Sequence, residues 1–255
     1  MNAWWQQPVA MIDTAAMAAA QARQAVLAKP PGALGRLETV AETFAGWQGR
    51  AVPALDRVDI AVFAADHGVA ARGVSAFDQA VTGQMIANFA AGGAAICVLA
   101  RRHGARLAVV DVGAVAPPAG VAGVIDARIA PGTADFTETA AMSADQLDRA
   151  LQVGRERVSA SADLFIGGEM GIGNTTSAAA VFAALTGRAP AEVVGRGTGV
   201  DAAGLARKQA VVAAGLERHR ARWADMQGAR RAQAVLRCVG GFEIAALAGS
   251  FVAAA

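Results

Sequence analysis

Three apolar runs stop on the same kind of punctuation, and this constrains the fold most. "VDIAVFAADHG" (58–68) ends in Asp-His-Gly, "LAVVDVG" (107–113) in Asp and Gly, and "DLFIGGE" (163–169) in glycines and a carboxylate. A strand that is apolar on every residue is covered on both faces, as strands of a parallel sheet between helix layers are. Helical stretches lie between the runs, near 79–102 and 144–161. The alternation predicts a doubly wound α/β fold. In such a sheet ligands bind beyond the carboxyl ends of the strands, where these polar endings fall.

The first fifty residues read differently. A helix over 14–28, capped by Asp13 or Thr14, is broken by "KPPGALGRLE" (29–38), and a second follows over 36–48. This divides the chain into a helical part, 1–50, and an α/β part, 51–255. Further helices are expected over 175–186, 203–222 and 229–238. The Pro-, Gly- and Thr-rich region 114–140 reads as a long surface connection with one weak strand at 121–125. The stretch "VGGFEIAALAGSFVAAA" (239–255) reads as a glycine turn and an apolar helix with no closing cap.

Composition excludes several classes. At 55% apolar and 17% charged the chain is too hydrophobic for disorder. Net charge is +2, and the arginines between 218 and 237 alternate with apolar residues at helical spacing. They read as a solvated helix face, so no nucleic-acid partner is expected. Cys97 and Cys238 sit in apolar runs and read as reduced core thiols of a cytoplasmic protein. The three histidines show no metal-ligand spacing. The amino-terminal "MNAWWQQPVAMID" has no basic start leading into an apolar core, so no leader is expected. Gln79–Ala100 carries no charge and is long enough to span a bilayer. Gln79, Gln84, Asn88 and the glycines at 92 and 93 favour a buried core helix instead, and no membrane association.

The candidate site is "IGGEMGIGNTTSAAA" (166–180). A strand enters it, glycines let the chain turn tightly, and a helix leaves near Thr175. Backbone N–H groups at that helix start, with Thr175 and Thr176, suit an anion. The spacing is neither G-x-G-x-x-G nor a P-loop, so a small-molecule phosphate fits better than a nucleotide triphosphate with Mg²⁺. A plain structural turn with Asn174 or Thr175 as N-cap fits the same residues. Glu169 beside an anion site calls for a reason: a hydrogen bond to substrate, proton acceptance, or a salt bridge or capping bond. "VVGRGTGVD" (193–201) is a second glycine turn, followed by Lys208, which is either a phosphate partner or a surface lysine. In "ADHGVAARGVSAFDQAVT" (65–82), Asp66 and His67 leave a strand end as site or turn residues. Phe77, with Met85 just beyond, offers flat apolar surface.

Taken in order, "KPPGALGRLE", "FAADHGVAARGVSAF", "GGEMGIGNTTSAAA", "GRGTGVD" and "VGGFEIAALAG" resemble the nicotinate-nucleotide–dimethylbenzimidazole phosphoribosyltransferase family. The resemblance runs along essentially the whole chain. It implies a Rossmann-like parallel sheet with helices on both faces, a small helical domain and a homodimer. It implies transfer of phosphoribose from nicotinate mononucleotide to 5,6-dimethylbenzimidazole, giving α-ribazole 5′-phosphate and nicotinate for the cobalamin lower ligand. No metal or cofactor is implied. By resemblance, Gly171, Ile172, Gly173, Asn174, Thr175 and Thr176 cradle the phosphate, and Gly197 and Lys208 close that site. Phe77 and Met85 line the benzimidazole pocket, and Glu169 stands near the reacting ring.

The family's proton acceptor is a glutamate in a segment of the type R-L-G-E-G-[TS]-G, and residues 1–255 contain no such segment. Within these residues the small domain is therefore expected to be incomplete. Glu169 becomes the candidate base, and the alternative expectation is a weakly active or inactive relative that binds nucleotide or azole. Asp78 and Asp135 replace the family's usual Pro and Asn.

Overall fold

The computed structural model describes residues 4–255. Residues 1–3, where the stretch read as carrying no leader begins, lie outside the described residues. Helices α1 (Thr14–Val26) and α2 (Arg36–Gln48) pack against each other. Asp13 caps α1 by accepting from the Ala16 amide at 2.9 Å. The α/β part follows with β1 (Val58–Ala65), α3 (Ala80–Ala90), α4 (Ala95–His103), β2 (Arg106–Gly113) and β3 (Val124–Asp126). It continues with α5 (Ala144–Arg155), β4 (Leu164–Met170), α6 (Asn174–Thr186), α7 (Pro190–Val193), α8 (Ala202–His219), α9 (Gly228–Val239) and α10 (Phe242–Ala254).

The four strands form one parallel sheet in the order β3-β2-β1-β4. All three apolar runs of the sequence are strands in it. Alternate residues of β1 face opposite layers. Ala61, Phe63 and Ala65 pack with α5 and α10, whereas Ala64 meets Ile86 of α3. A third core lies outside the sheet and joins Ala180 of α6, Val212 of α8 and Val235 of α9 with Phe136 and Trp223.

Small residues allow unusually close layers. A methyl group on Gly154 of α5 would overlap the Ala246 carbonyl oxygen of α10, and one on Gly249 would overlap the Leu151 carbonyl. This contact sets the depth of α10, and α10 carries Glu243 into the interior. Registration does the rest. Phe63 pairs with Glu169, Ala64 with both Met170 and Asp111, so the strand ends open on one edge.

Three expectations change. The apolar stretch 79–102 is two helices rather than one, because Gly92 adopts φ +78° and turns the chain. Nor is it wholly buried: Val98 and Leu99 on α4 are 52% and 54% exposed. Length and composition alone would still let Ala80–His103 cross a membrane. The region 114–140 is not merely a surface connection. The Thr133 amide donates to the Asp66 carbonyl, Gly68 donates to the Thr133 carbonyl, and Phe136 fills the third core. Its weak strand lies at 124–126 and pairs with β2. Finally, α5 stops at Arg155, short of the expected 161.

Candidate active site

The glycine loop wraps the end of β1. Gly171 passes so close to the Ala65 carbonyl oxygen that a methyl group would overlap it, and a methyl on Gly173 would come within 2.9 Å of His67 Cβ. Gly173 is the N-cap of α6, at φ +97° and without a side-chain cap bond. Neither Asn174 nor Thr175 is the ordinary N-cap that the structural reading of this turn required. Asn174 is turned inward instead, and its Nδ2 donates to Glu243 at 2.8 Å. Ile172 is buried, and its amide donates to Thr82 Oγ1 at 3.2 Å. Thr176 is wholly enclosed, its hydroxyl without a partner among the described residues, whereas Thr175 is exposed.

Lys208 approaches from α8 and donates from Nζ to Thr175 Oγ1 at 2.9 Å. It is no surface lysine: its relative exposure is 0%. Burial lowers its pKa, and no acidic partner among the described residues opposes that loss of solvent. Exposed Gly197, at φ +54°, lies over it, so a methyl there would stand 2.7 Å from Lys208 Nζ and 2.6 Å from Thr175 Oγ1. The structure therefore brings Thr175, Gly197 and Lys208 into one cationic corner at the amino end of α6.

The second glycine loop also reaches the segment that leads into α3. Thr198 Oγ1 accepts from the Ala76 amide at 3.1 Å and lies 3.2 Å from Ser75 Oγ. Phe77 follows at once and is 55% exposed. Thr82 joins α3 to the site through Asp66, donating to Oδ1 at 2.7 Å. Met85, half-buried, lies three residues along the same helix. Glu169 is exposed, yet crowding protein atoms raise its pKa by desolvation, the charge of Glu243 adds to this, and His67 opposes it.

Asp66 and His67 are not simple turn residues, since both are 0% exposed. Asp66 accepts from Thr82 and from the Val115 amide, while His67 meets Glu243 and Ser177. Glu243, Thr82, Ser177 and Thr198 were missed from sequence. Glu243 had one signal: a lone carboxylate in the apolar run "GGFEIAALAG". His219 is structural, its Nε2 facing the carbonyls of Phe136 and Thr139 at 2.8 and 3.1 Å.

A cationic corner at a helix start and a carboxylate of raised pKa stand near the carboxyl ends of a parallel sheet, where α/β enzymes commonly hold small ligands. The chain belongs to the phosphoribosyltransferase family, whose sequence model matches residues 9–255. It is 51% identical to the nicotinate-nucleotide–dimethylbenzimidazole phosphoribosyltransferase of Xanthomonas oryzae pv. oryzae (strain PXO99A), covering 100% of this chain and 72% of that protein. It is 52% identical to the enzyme of the same name from Chromobacterium violaceum, covering 94% of this chain and 69% of that one. The crystal structure of CobT from Thermus thermophilus superposes with a TM-score of 0.85 at 44% identity, over 94% of this chain and 71% of that one. The protein is thus a phosphoribosyl-transferring α/β enzyme, and these likenesses favour catalysis over a relative that only binds.

Proposed function

We propose that this phosphoribosyltransferase takes its donor group from nicotinate mononucleotide and places it on 5,6-dimethylbenzimidazole, yielding α-ribazole 5′-phosphate and nicotinate. One observation carries the assignment of the site: an enclosed lysine with no acidic partner, hydrogen-bonded to a threonine at a helix start. A buried ammonium without a counter-charge is costly, and a phosphate supplies that charge. The donor's phosphate meets Lys208, Thr175 and the backbone of 171–176 and 197. Its ribose then points along the strand ends toward Phe77 and Met85, which hold the azole ring. The glycosidic bond breaks as nicotinate leaves with its electron pair, neutralising the pyridinium. A benzimidazole nitrogen forms the new bond to C1′ from the opposite face, with inversion. Glu169 takes the proton from the other ring nitrogen; its raised pKa makes it a better acceptor than an ordinary carboxylate.

The same reading treats residues 1–50 as part of a small helical domain and the enzyme as a homodimer. The exposed Val98 and Leu99 of α4 support an interface there. Free, buried cysteines fit a reducing, cytoplasmic setting. The test is to mix the protein with nicotinate mononucleotide, with and without 5,6-dimethylbenzimidazole, and to follow both products by chromatography. Nicotinate released only with the azole, in step with α-ribazole 5′-phosphate, is the expected result. Failure to bind the nucleotide at all overturns the reading.

A further inference from the structure

Beneath the first turn of α6 lies a buried polar cluster for which phosphate contact gives no reason. Glu243, the second residue of α10, holds Oε1 2.5 Å from His67 Nε2 and accepts from Asn174 Nδ2 at 2.8 Å. His67 Nδ1 lies 2.9 Å from Ser177 Oγ. His67, Ser177 and Glu243 are all 0% exposed. Asn174 and Ser177 stand three residues apart in the first turn of α6, so the pair grips that turn at two points. The backbone at Gly241 closes the cluster, since a methyl there would overlap the His67 ring and lie 2.6 Å from Glu243 Oε2. That Oε2 has no partner among the described residues.

A sealed carboxylate with one free oxygen needs a compensating charge. The group within bonding distance that can carry one is His67. As an imidazolium it donates from both nitrogens, to Glu243 and to Ser177 Oγ, which matches the two contacts seen. The pair is then neutral overall. Neutrality matters at this place, because an uncompensated Glu243 would repel an anion arriving above it.

We propose that Glu243 and His67 are positioning residues, a buried carboxylate–imidazolium pair that fixes the first turn of α6 for the donor's phosphate without adding net charge. The proposal rests on the donor reading given above. The other charged groups facing His67 are Asp66, beside it at the end of β1, and Glu169 on β4. Burial alone would lower the pKa of His67; Glu243, Asp66 and Glu169 outweigh it, and the net direction is up.

Nitrogen-15 NMR of the histidine rings tests this on the full chain, which has only three histidines, of which His103 is exposed. At about pH 7.5, above the ordinary histidine pKa, both nitrogens of His67 are expected to carry protons. In Glu243→Gln, which keeps the side-chain shape, the ring becomes neutral and calorimetric affinity for nicotinate mononucleotide falls at least about tenfold. A merely structural role would lower the melting temperature without changing the ring's protonation. A neutral His67 in the wild-type protein overturns the proposal, and that spectrum decides even where the variant does not fold. So does a folded variant that binds the nucleotide as tightly as wild type. A wild-type protein with a charged His67 and no nucleotide binding instead shows the donor reading to be at fault.

Discussion

Replacing Lys208 by methionine separates a binding role from a structural one, because the two roles predict opposite signs of stability change. The side chain is enclosed, its ammonium donates to Thr175, and among the described residues no acidic group compensates it. Methionine keeps most of the volume and removes the buried charge. Removing an uncompensated buried charge is expected to stabilise the ligand-free protein by about 1–3 kcal/mol. In a protein of this size that is about 2–4 °C of melting temperature per kcal/mol. Against this, a hydrogen bond from a charged group to phosphate contributes about 1.5–3 kcal/mol. Its loss weakens nucleotide binding by about 10- to 150-fold. The pH dependence gives a second check. The folded pKa of Lys208 is depressed. Between that value and the ordinary one near 10.4, the unfolded chain holds a proton that the folded chain has released. Wild-type stability therefore gains from this residue as pH rises through the window, and Lys208→Met lacks the gain. Denaturant melts at several pH values and calorimetry with nicotinate mononucleotide measure all three quantities. A variant that is less stable and binds the nucleotide normally would refute the assignment, leaving Lys208 as a packing residue.

Gly197→Ala combines a left-handed backbone position with a methyl pressed onto Lys208 Nζ and Thr175 Oγ1. It should cost about 1–2 kcal/mol in stability and weaken the nucleotide by about tenfold or more, read by melting and calorimetry. Glu169→Gln should lower turnover by about 10²–10⁴-fold. In the wild-type pH profile the rise in rate should fall above the ordinary carboxylate range, because the folded pKa is raised; an unchanged profile in the variant excludes it as the base. Phe77→Ala removes an exposed ring, so stability should stay within about 0.5 kcal/mol while azole KM rises and nucleotide affinity holds. Gly154→Ala forces α5 and α10 apart at the Ala246 carbonyl, and should cost about 1–3 kcal/mol in a urea titration.

What sequence alone determined here is what depends on local pattern. Continuous apolar runs ending in polar residues specified the parallel strands, since such segments are stable only between two covered faces. The glycine-rich turns and Lys208 offered an anion site beside a plain turn and a surface lysine, because backbone amides at a helix start need no distant partner to suit an anion. Tertiary structure decided what hinges on residues far apart in the chain. Glu243 reaches His67 across 176 residues only because Gly154 and Gly249 let α10 sink against α5. Lys208 could be told from a surface lysine only once Gly197 lay over it. Asn174 could be told from a cap only once Glu243 had turned it inward. Pattern reports which face of an element is apolar; depth, and with it the charge state of a buried group, is set by how closely the layers approach.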